Sequence, residues 1–208
     1  MWLATLKKHN IIPVIMIILC LTAAFLPASV GAVMGTIRTV PITKLRSDKL
    51  ALTVNVYENT DIDTLAAALG ENKVTFFISE EFSDLHADKV KWLALSGHGI
   101  GILEKDLSSL SQKEINDRLA ERIEQLAFLT GKNTDLVRFD NINPDTYSIG
   151  AVFSLGLFAV QWSADESKKH FSAGDIILVT EKADITSVLK KITADGYETI
   201  AVSGKLLS

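Results

Sequence analysis

The sequence predicts an α/β domain built on a parallel β-sheet, and three observations predict it. Seven short segments rich in Val, Ile, Leu or Phe recur along residues 50–202, each of strand length. Between most of them lie segments with helical apolar periodicity. Glycine follows several of these helical segments as a stop signal. Alternating strands and helices of this kind form a parallel sheet, either open or closed into a barrel.

The individual elements can be placed along the chain. Strands are expected at Leu50–Tyr57, Lys73–Ile78, His98–Leu103, Asp135–Phe139, Leu157–Gln161, Asp175–Val179 and Tyr197–Val202. Helices are expected at Ile62–Leu69, Leu85–Ser96, Ser111–Leu129, Asp145–Leu155 and Ile185–Ala194. The third helix has the clearest signal, because Ser111 and Glu114 have the spacing of a capping box. The interval Ser163–Gly174 is too short for a full crossover helix, so the unit there is reduced.

Composition and charge limit the classes of function. The 208 residues, 48% hydrophobic and 22% charged, suffice for one globular domain and an N-terminal targeting segment. Two of the 21 basic residues and none of the 25 acidic ones precede Arg38, so the remaining chain has a net charge of -6. A mildly acidic domain without a basic stripe argues against nucleic acid as a partner. The single cysteine, Cys20, leaves the domain without a disulfide or a thiolate metal site.

The N-terminus has the features of a membrane-targeting segment. Lys7 and Lys8 precede an uncharged stretch over residues 10–36, which exceeds the roughly 20 residues that span a bilayer. The lysines favour an orientation that places the domain outside the cytoplasm. Small residues up to Ala32 suit signal peptidase, so a retained anchor and a cleaved signal both stay open, and a buried core helix is disfavoured. We expect an anchor or signal over 1–35, a linker over 36–48 and the domain over 49–208.

Several segments resemble a known family when they are taken in chain order. Arg38–Ile42, which reads Arg-Thr-Val-Pro-Ile, and Leu50–Thr53 resemble the beginning of the polysaccharide deacetylase domain (NodB homology, carbohydrate esterase family 4) in its sporulation-associated branch. Gly97–Gly101 is similar to its Gly-His-Glu-Ile-Gly motif, and Gln161–Asp165 to its Trp-Ser-x-Asp strand. The other similar segments are Lys73–Ile78, Leu110–Glu114, Thr130–Lys132 and Gly196–Ser203. The resemblance implies a distorted or truncated (β/α)7 barrel.

The resemblance also implies a metal-dependent hydrolase, but the residues its chemistry needs are different here. In that family one Asp and two His hold a divalent metal such as zinc, and the metal activates water against an N-acetyl carbonyl. A neighbouring Asp is the base and a later His the acid. The position of the base is Asn55, and an amide takes up no proton near neutral pH. The position of the metal-binding Asp is Val56.

The two histidine ligands and the acid are also replaced. The ligand positions correspond to Leu103 and Leu107, whose side chains have no lone pair for a metal. The position of the acid is Thr180, which cannot titrate as an imidazole does. These departures from the family's pattern therefore predict that no metal is bound and that the reaction has been abandoned. We expect apolar Val56, Leu103 and Leu107 to fill the former cleft and close the top of the barrel.

Four residues of the family's motifs are retained. Arg138 and Asp165 match a pair in which the Arg orients the base and the Asp holds the Arg, so we expect an ion pair that braces strand ends. Trp162 is expected to pack in the barrel wall rather than to stack on a sugar. His98 is expected to be a hydrogen-bonded structural histidine.

Acidic residues follow several predicted strands, where an α/β barrel places its active site. They form a solvated rim or, as an alternative, a new oxygen-ligand metal site; they are Glu58, Asp61, Asp63, Glu104, Asp106 and Asp140. The favoured hypothesis is an inactive deacetylase-like domain outside the membrane, with a binding or structural role in cell-envelope or sporulation-related carbohydrate biology. Its partner would be a cell-wall glycan or an envelope protein. Two alternatives are an active glycan deacetylase that uses Glu104 or Asp106 as base, and a membrane protein that binds only a protein partner.

Overall fold

Seven short strands form one parallel sheet in a computed structural model that describes residues 39–141 and 143–207. The strands are β1 (Ala51–Val56), β2 (Thr75–Ile78), β3 (Gly99–Glu104), β4 (Leu136–Phe139), β5 (Phe158–Ala159), β6 (Ala164–Asp165) and β7 (Ile176–Val179). Their order in the sheet is β5-β4-β3-β2-β1-β7-β6, with every neighbouring pair parallel. The longest strands therefore lie at the centre, and their carboxyl ends meet at one edge.

Helices connect most of these strands. They are α1 (Ile62–Leu69), α2 (Glu80–Leu85), α3 (Ala87–Leu95), α4 (Gln112–Thr130), α5 (Thr146–Ser154) and α6 (Ile185–Ala194), and a 3₁₀ turn covers Gly204–Leu206. The predicted capping box of α4 is present: Ser111 accepts from the Glu114 N–H, and the Glu114 carboxylate accepts from the Ser111 N–H. Gly131 ends α4 with a φ of 73°, which favours glycine.

Alternate residues of each strand pack on opposite faces of the sheet, as the two-residue period of a strand requires. On one face Leu52, Val54 and Val56 belong to the larger hydrophobic cluster, which also contains the buried residues of the helices. On the other face Ala51 and Phe77 belong to a second cluster. We call these the helix-side core and the inner core. Both faces of the sheet are thus covered, which is usual for parallel sheets.

The structure corrects two element predictions. Tyr197–Val202 is not a strand; it contributes one isolated bridge, between Leu50 and Thr199, and the seventh strand is β6 in the interval that was judged too short. The single helix expected over Leu85–Ser96 is two helices that meet at His86, whose backbone departs from helical geometry. The first of them was missed although Ser79 caps it by accepting from the Phe82 N–H.

Residues 39–48 are part of the domain rather than the linker that was expected. Ile42 forms a parallel bridge with Val160 after β5, and Lys44 forms an antiparallel bridge with Asp175 before β7. Leu45 is buried in the inner core and donates its N–H to the Gly174 carbonyl. Within 39–141 and 143–207 no helix is long and apolar enough to cross a bilayer. The segment expected to be an anchor or signal, with its cleavage site at Ala32, lies outside the described residues.

Replacing Ser111 by Ala should lower the free energy of unfolding by about 1 kcal/mol, because the side chain that accepts from the Glu114 N–H is removed. Urea unfolding followed by circular dichroism measures this. Ser109→Ala, at an exposed position in the preceding loop, is the matched control and should change the free energy little. Equal effects of the two substitutions would contradict a stabilising cap.

Candidate functional site

A cleft of about 350 Å³ opens over the carboxyl ends of the strands, between them and α4. Parallel α/β folds place binding sites at this edge because the loops that follow the strands converge there. The cleft is lined by Tyr57–Thr60, Ser79–Glu81, Leu103–Lys105, Arg118, Asp140 and Glu181. It therefore receives residues from the loops after β1, β2, β3, β4 and β7.

Arg138 on β4 lies fully buried inside the sheet beside the position predicted for a base. Its Nη1 donates to the Thr53 hydroxyl at 2.8 Å and to the Asn55 Oδ1 at 3.2 Å, and its Nε donates to the Val160 carbonyl at 3.2 Å. The guanidinium stacks 4.0 Å from the centre of the Phe77 ring. Burial lowers the pKa of Arg138 from its ordinary value.

Asn55 has its amide oriented by two neighbours. Its Oδ1 accepts from Arg138, and its Nδ2 donates to the Tyr57 hydroxyl at 3.4 Å. Asn55 therefore occupies the place beside Arg138 that the resemblance assigns to a carboxylate base. An amide in this position supplies a hydrogen-bond acceptor but has no affinity for a proton near neutral pH.

The predicted ion pair between Arg138 and Asp165 is wrong. Asp165 lies exposed at the edge strand β6, and its carboxylate accepts from the N–H and the hydroxyl of Ser167, which lower its pKa. The guanidinium instead uses a neutral amide, a hydroxyl and a carbonyl. Trp162 packs against the inner core, with its ring 5.6 Å from the guanidinium carbon of Arg138, as expected for a residue of the barrel wall.

The three apolar residues at the positions that the resemblance assigns to metal ligands do not lie together. Leu103 belongs to the inner core and lines the cleft. Val56 and Leu107 belong to the helix-side core on the opposite face of the sheet. The prediction that they fill the cleft and close it is therefore wrong, because only one of them reaches it and the cleft is open.

Thr180 and His98 lie at opposite ends of the sheet, and neither lines the cleft. Thr180 is exposed and donates its hydroxyl to the Glu166 carboxylate at 2.8 Å. His98 lies before β3, at the opposite end of the sheet from the cleft. Its Nδ1 accepts from the Val74 N–H at 3.4 Å, its ring meets Phe76 edge-on, and burial lowers its pKa. His98 thus takes part in packing and in a backbone hydrogen bond.

Three of the six predicted acidic residues reach the cleft, namely Glu58, Glu104 and Asp140. The others have local roles, since Asp61 caps α1, Asp63 pairs with Lys89 at 3.0 Å and Asp106 accepts from the Ser108 N–H. The prediction missed Tyr57, Glu80, Glu81, Arg118 and Glu181, which also line the cleft. Glu80, Glu81 and Glu181 each follow a predicted strand closely, so the sequence carried their signal, whereas Arg118 lies within α4 and reaches this edge only through helix packing.

Glu104 is the most deeply buried charged residue of the cleft wall, with 1% of its surface exposed. Its Oε2 accepts from Arg118 Nε at 2.9 Å, and Arg118 Nη2 donates to Glu80 at 3.0 Å. Its Oε1 has no hydrogen-bond partner among the described residues. Burial raises the pKa of Glu104, against the lowering effect of Arg118.

The residues at the family's metal positions do not fit a catalytic metal. Val56 and Leu103 carry no donor atom, and Leu107 packs under the helices. Over residues 39–141 and 143–207 no three His, Cys, Asp or Glu side chains are arranged to hold an ion. No catalytic step through a metal is therefore derived for these residues.

Comparison with known proteins identifies the fold. No protein-family model and no curated protein matches the sequence. A family 4 carbohydrate esterase pseudoenzyme from Bacillus anthracis aligns with a TM-score of 0.68 and 16% identity over 82% of this chain and 70% of that chain. A mutant of that pseudoenzyme with restored enzymatic activity aligns with a TM-score of 0.68 and 15% identity over 82% and 72%. PdaA from Bacillus subtilis, a family 4 carbohydrate esterase, gives 0.62 and 19% over 78% and 82%.

These likenesses show that the chain has the fold of the family 4 carbohydrate esterases, a distorted barrel of parallel strands and helices. The fold predicted from the order of the sequence motifs is therefore confirmed. At this level of identity the comparison establishes the fold alone, so what the cleft does has to be argued from its own residues.

The substitution Asn55→Asp should stabilise the domain at neutral pH, because a charged acceptor replaces a neutral one 3.2 Å from the buried guanidinium. We expect a gain of about 1 kcal/mol in the free energy of unfolding. The guanidinium should hold the pKa of this Asp below its unfolded value of about 3.9, so the gain is present above that value and lost as pH falls through the folded pKa. Asn55→Ala is the control and should destabilise. A loss of stability in Asn55→Asp at neutral pH would contradict this account.

The raised pKa of Glu104 leads to a second prediction, which concerns how the free energy of unfolding varies with pH. A carboxyl whose pKa is higher in the folded state contributes stability below its unfolded pKa, and that contribution is lost as pH rises through the folded pKa. Glu104→Gln, which does not titrate, should therefore gain stability relative to the natural protein as pH rises from about 4 to 7. Urea unfolding at several pH values measures the difference. Exposed Glu124→Gln should show no such trend, and a flat difference for Glu104→Gln would refute the raised pKa.

Proposed function

We propose that this chain is a catalytically inactive deacetylase-like domain that binds glycan in the cell envelope. The observation that carries the proposal is the contact between Arg138 and Asn55. The resemblance assigns a carboxylate base to this position, and the residue present is an amide whose oxygen already accepts from the guanidinium. The general base of the family's hydrolysis is therefore missing from its place.

The former ligand positions support the same conclusion. A divalent metal at the carboxyl ends of the strands would need imidazole or carboxylate groups there. Leu103 contributes an aliphatic side chain to the cleft, and Val56 and Leu107 contribute buried packing on the other face of the sheet. Restoring the family's centre would thus require several simultaneous replacements, two of them within the helix-side core.

The open cleft favours binding over a purely structural role. Its volume of about 350 Å³ lies within the usual range of small-ligand pockets. Tyr57 stands at its edge with 46% of its surface exposed, and an aromatic face of this kind packs well on the apolar face of a sugar ring.

The N-terminal segment supports a position outside the cytoplasmic membrane. The lysine pair before an uncharged stretch of bilayer length favours export of the domain that follows. There the cleft would face cell-wall glycan, in keeping with the sporulation-associated branch that the sequence resembles. Whether the segment is retained or cleaved does not alter the proposed binding role.

Glu104 keeps an active hydrolase as the second candidate. It is a buried carboxylate with a raised pKa and an unpartnered oxygen, which are properties of a general base. Against this role, its other oxygen is held by Arg118 and only 1% of its surface is exposed. Asp106, the other base that was considered, is outside the residues that line the cleft.

Calorimetry and an acetate assay on the full-length chain in mild detergent test the proposal. We expect a tetramer of N-acetylglucosamine or peptidoglycan to bind, Zn²⁺ and Co²⁺ not to bind with one-to-one stoichiometry, and no acetate to be released. Tyr57→Ala should weaken glycan binding about fivefold, as the loss of one aromatic contact implies. Tyr147→Ala, whose residue is 44% exposed but outside the cleft, is the matched control.

Two results would overturn the proposal. Acetate release that Glu104→Gln abolishes would establish the hydrolase instead. Retention of a protein partner with no binding of any glycan would favour a protein-binding role.

A further inference from the structure

The charges around the cleft are strongly one-sided. Six carboxylates line it against two cationic side chains. Both cations are already paired: Lys105 contacts Glu81 at 2.7 Å, and Arg118 lies between Glu80 and Glu104. The positive charges thus pair with three of the six carboxylates and leave the other three without an ion pair, although Asp140 lies close enough to Lys105 to help raise the pKa of that lysine.

Those remaining carboxylates come from three different loops. Glu58 follows β1, Asp140 follows β4 and Glu181 follows β7, and all three are exposed. None forms an ion pair with another residue of the described chain. Because they surround the same cavity, their fields add inside it and attract a cation more strongly than a single surface carboxylate would.

Glu104 adds a buried acceptor that has no donor. Its Oε1 is inaccessible to water and unpartnered among the described residues, although the residue lines the cleft. A buried acceptor left without a hydrogen bond costs about 1–3 kcal/mol. A ligand N–H donor that reached this oxygen after a small movement of the wall would recover that cost, so the cleft is suited to a donor as well as to positive charge.

The donor set suits an ammonium group better than a metal ion. Calcium takes six to eight oxygen ligands, whereas an ammonium group has three N–H donors and needs no more acceptors than that. Arg118 already occupies one oxygen each of Glu104 and Glu80, so these two carboxylates cannot close together around an ion. Exposed Tyr57 offers a ring face to a sugar or to a cation.

We infer that the cleft binds saccharides that carry free, protonated amino groups, and prefers them to N-acetylated ones. The inference rests on the proposed glycan-binding function and adds the chemical class of the glycan. An acetamido group is neutral and gains nothing from the unpaired carboxylates. A protonated sugar amine gains their attraction and can donate to Glu104, while its ring packs on Tyr57.

The test compares two ligands that differ only in acetylation, a glucosamine tetramer and an N-acetylglucosamine tetramer. Binding to the full-length chain is measured by calorimetry at about pH 5.5, where sugar amines are protonated and exposed carboxylates remain ionised. We expect the glucosamine tetramer to bind at least about tenfold more tightly, and this preference to shrink with added salt, which screens exposed charges.

Variants of exposed residues keep the test independent of folding. The double substitution Asp140→Asn with Glu181→Gln should reduce the preference to about twofold or less, since it removes two of the unpaired carboxylates. Glu121→Gln with Glu124→Gln, two exposed acids elsewhere on α4, changes the net charge equally and should leave the preference unchanged. Glu104→Gln should also weaken binding of the glucosamine tetramer, with its thermal melt measured in parallel.

The outcomes separate this inference from the function on which it rests. Equal affinity for the two tetramers would overturn the inference and leave glycan binding intact. The inference would also be overturned if Asp140→Asn with Glu181→Gln reduced the preference no more than the control variant, Glu121→Gln with Glu124→Gln. If spermidine binds as tightly as the glucosamine tetramer, the cleft recognises positive charge alone, and the inference that it recognises a saccharide is refuted. Binding of neither tetramer and of no peptidoglycan would refute both proposals.

Discussion

The buried guanidinium of Arg138 is the interaction on which the interior of this sheet depends. A charge inside a hydrophobic core is costly unless its donors find acceptors. Here Nη1 and Nε donate to Thr53, Asn55 and the Val160 carbonyl, whereas Nη2 has no hydrogen-bond partner among the described residues. These contacts tie β4 to β1 and to the residue after β5, across the inner face of the sheet. Phe77 covers one face of the guanidinium and excludes water. Asn55 belongs to this network as a neutral hydrogen-bond acceptor. It therefore supports the buried guanidinium without offering a proton-accepting group.

The alternation of side chains along the strands explains why the cleft stays open although its ligand positions are apolar. Val56 and Leu107 pack in the helix-side core, where aliphatic side chains add to stability. Leu103 alone lies in the inner core and touches the cavity. Aliphatic side chains at the positions that the resemblance assigns to metal ligands therefore pack largely under the helices and do not close the mouth of the barrel. The fold thus has a concave surface at the carboxyl ends of its strands.

The electrostatics of the mouth follow from how α2 and α4 pack against β3. Arg118 on α4 bridges Glu80 at the start of α2 and Glu104 at the end of β3, so one cation fixes two helices to the central sheet. Arg122, one turn further along α4, is buried and donates to Ser83 and to the Ile78 carbonyl. Both arginines are used inside the structure, which leaves the rim acidic. A cavity with this charge is selective for cations, whereas a neutral rim would not distinguish an amine from an acetamide.

The sequence by itself determined the strands β1 to β5 and β7, every helix except α2, and the residue types at the positions that the resemblance assigns to catalysis. These are local properties: a capping box such as Ser111–Glu114 and a run of buried apolar residues depend on neighbours along the chain. Only the tertiary structure decided that Arg138 contacts Asn55 and not Asp165, that Val56 and Leu103 face opposite sides, and that residues 39–48 join the sheet. It also brought Glu80, Arg118 and Glu181 to one cleft. Such contacts join residues far apart in sequence, and side-chain direction and helix packing, which set them, leave no periodic signal in the chain.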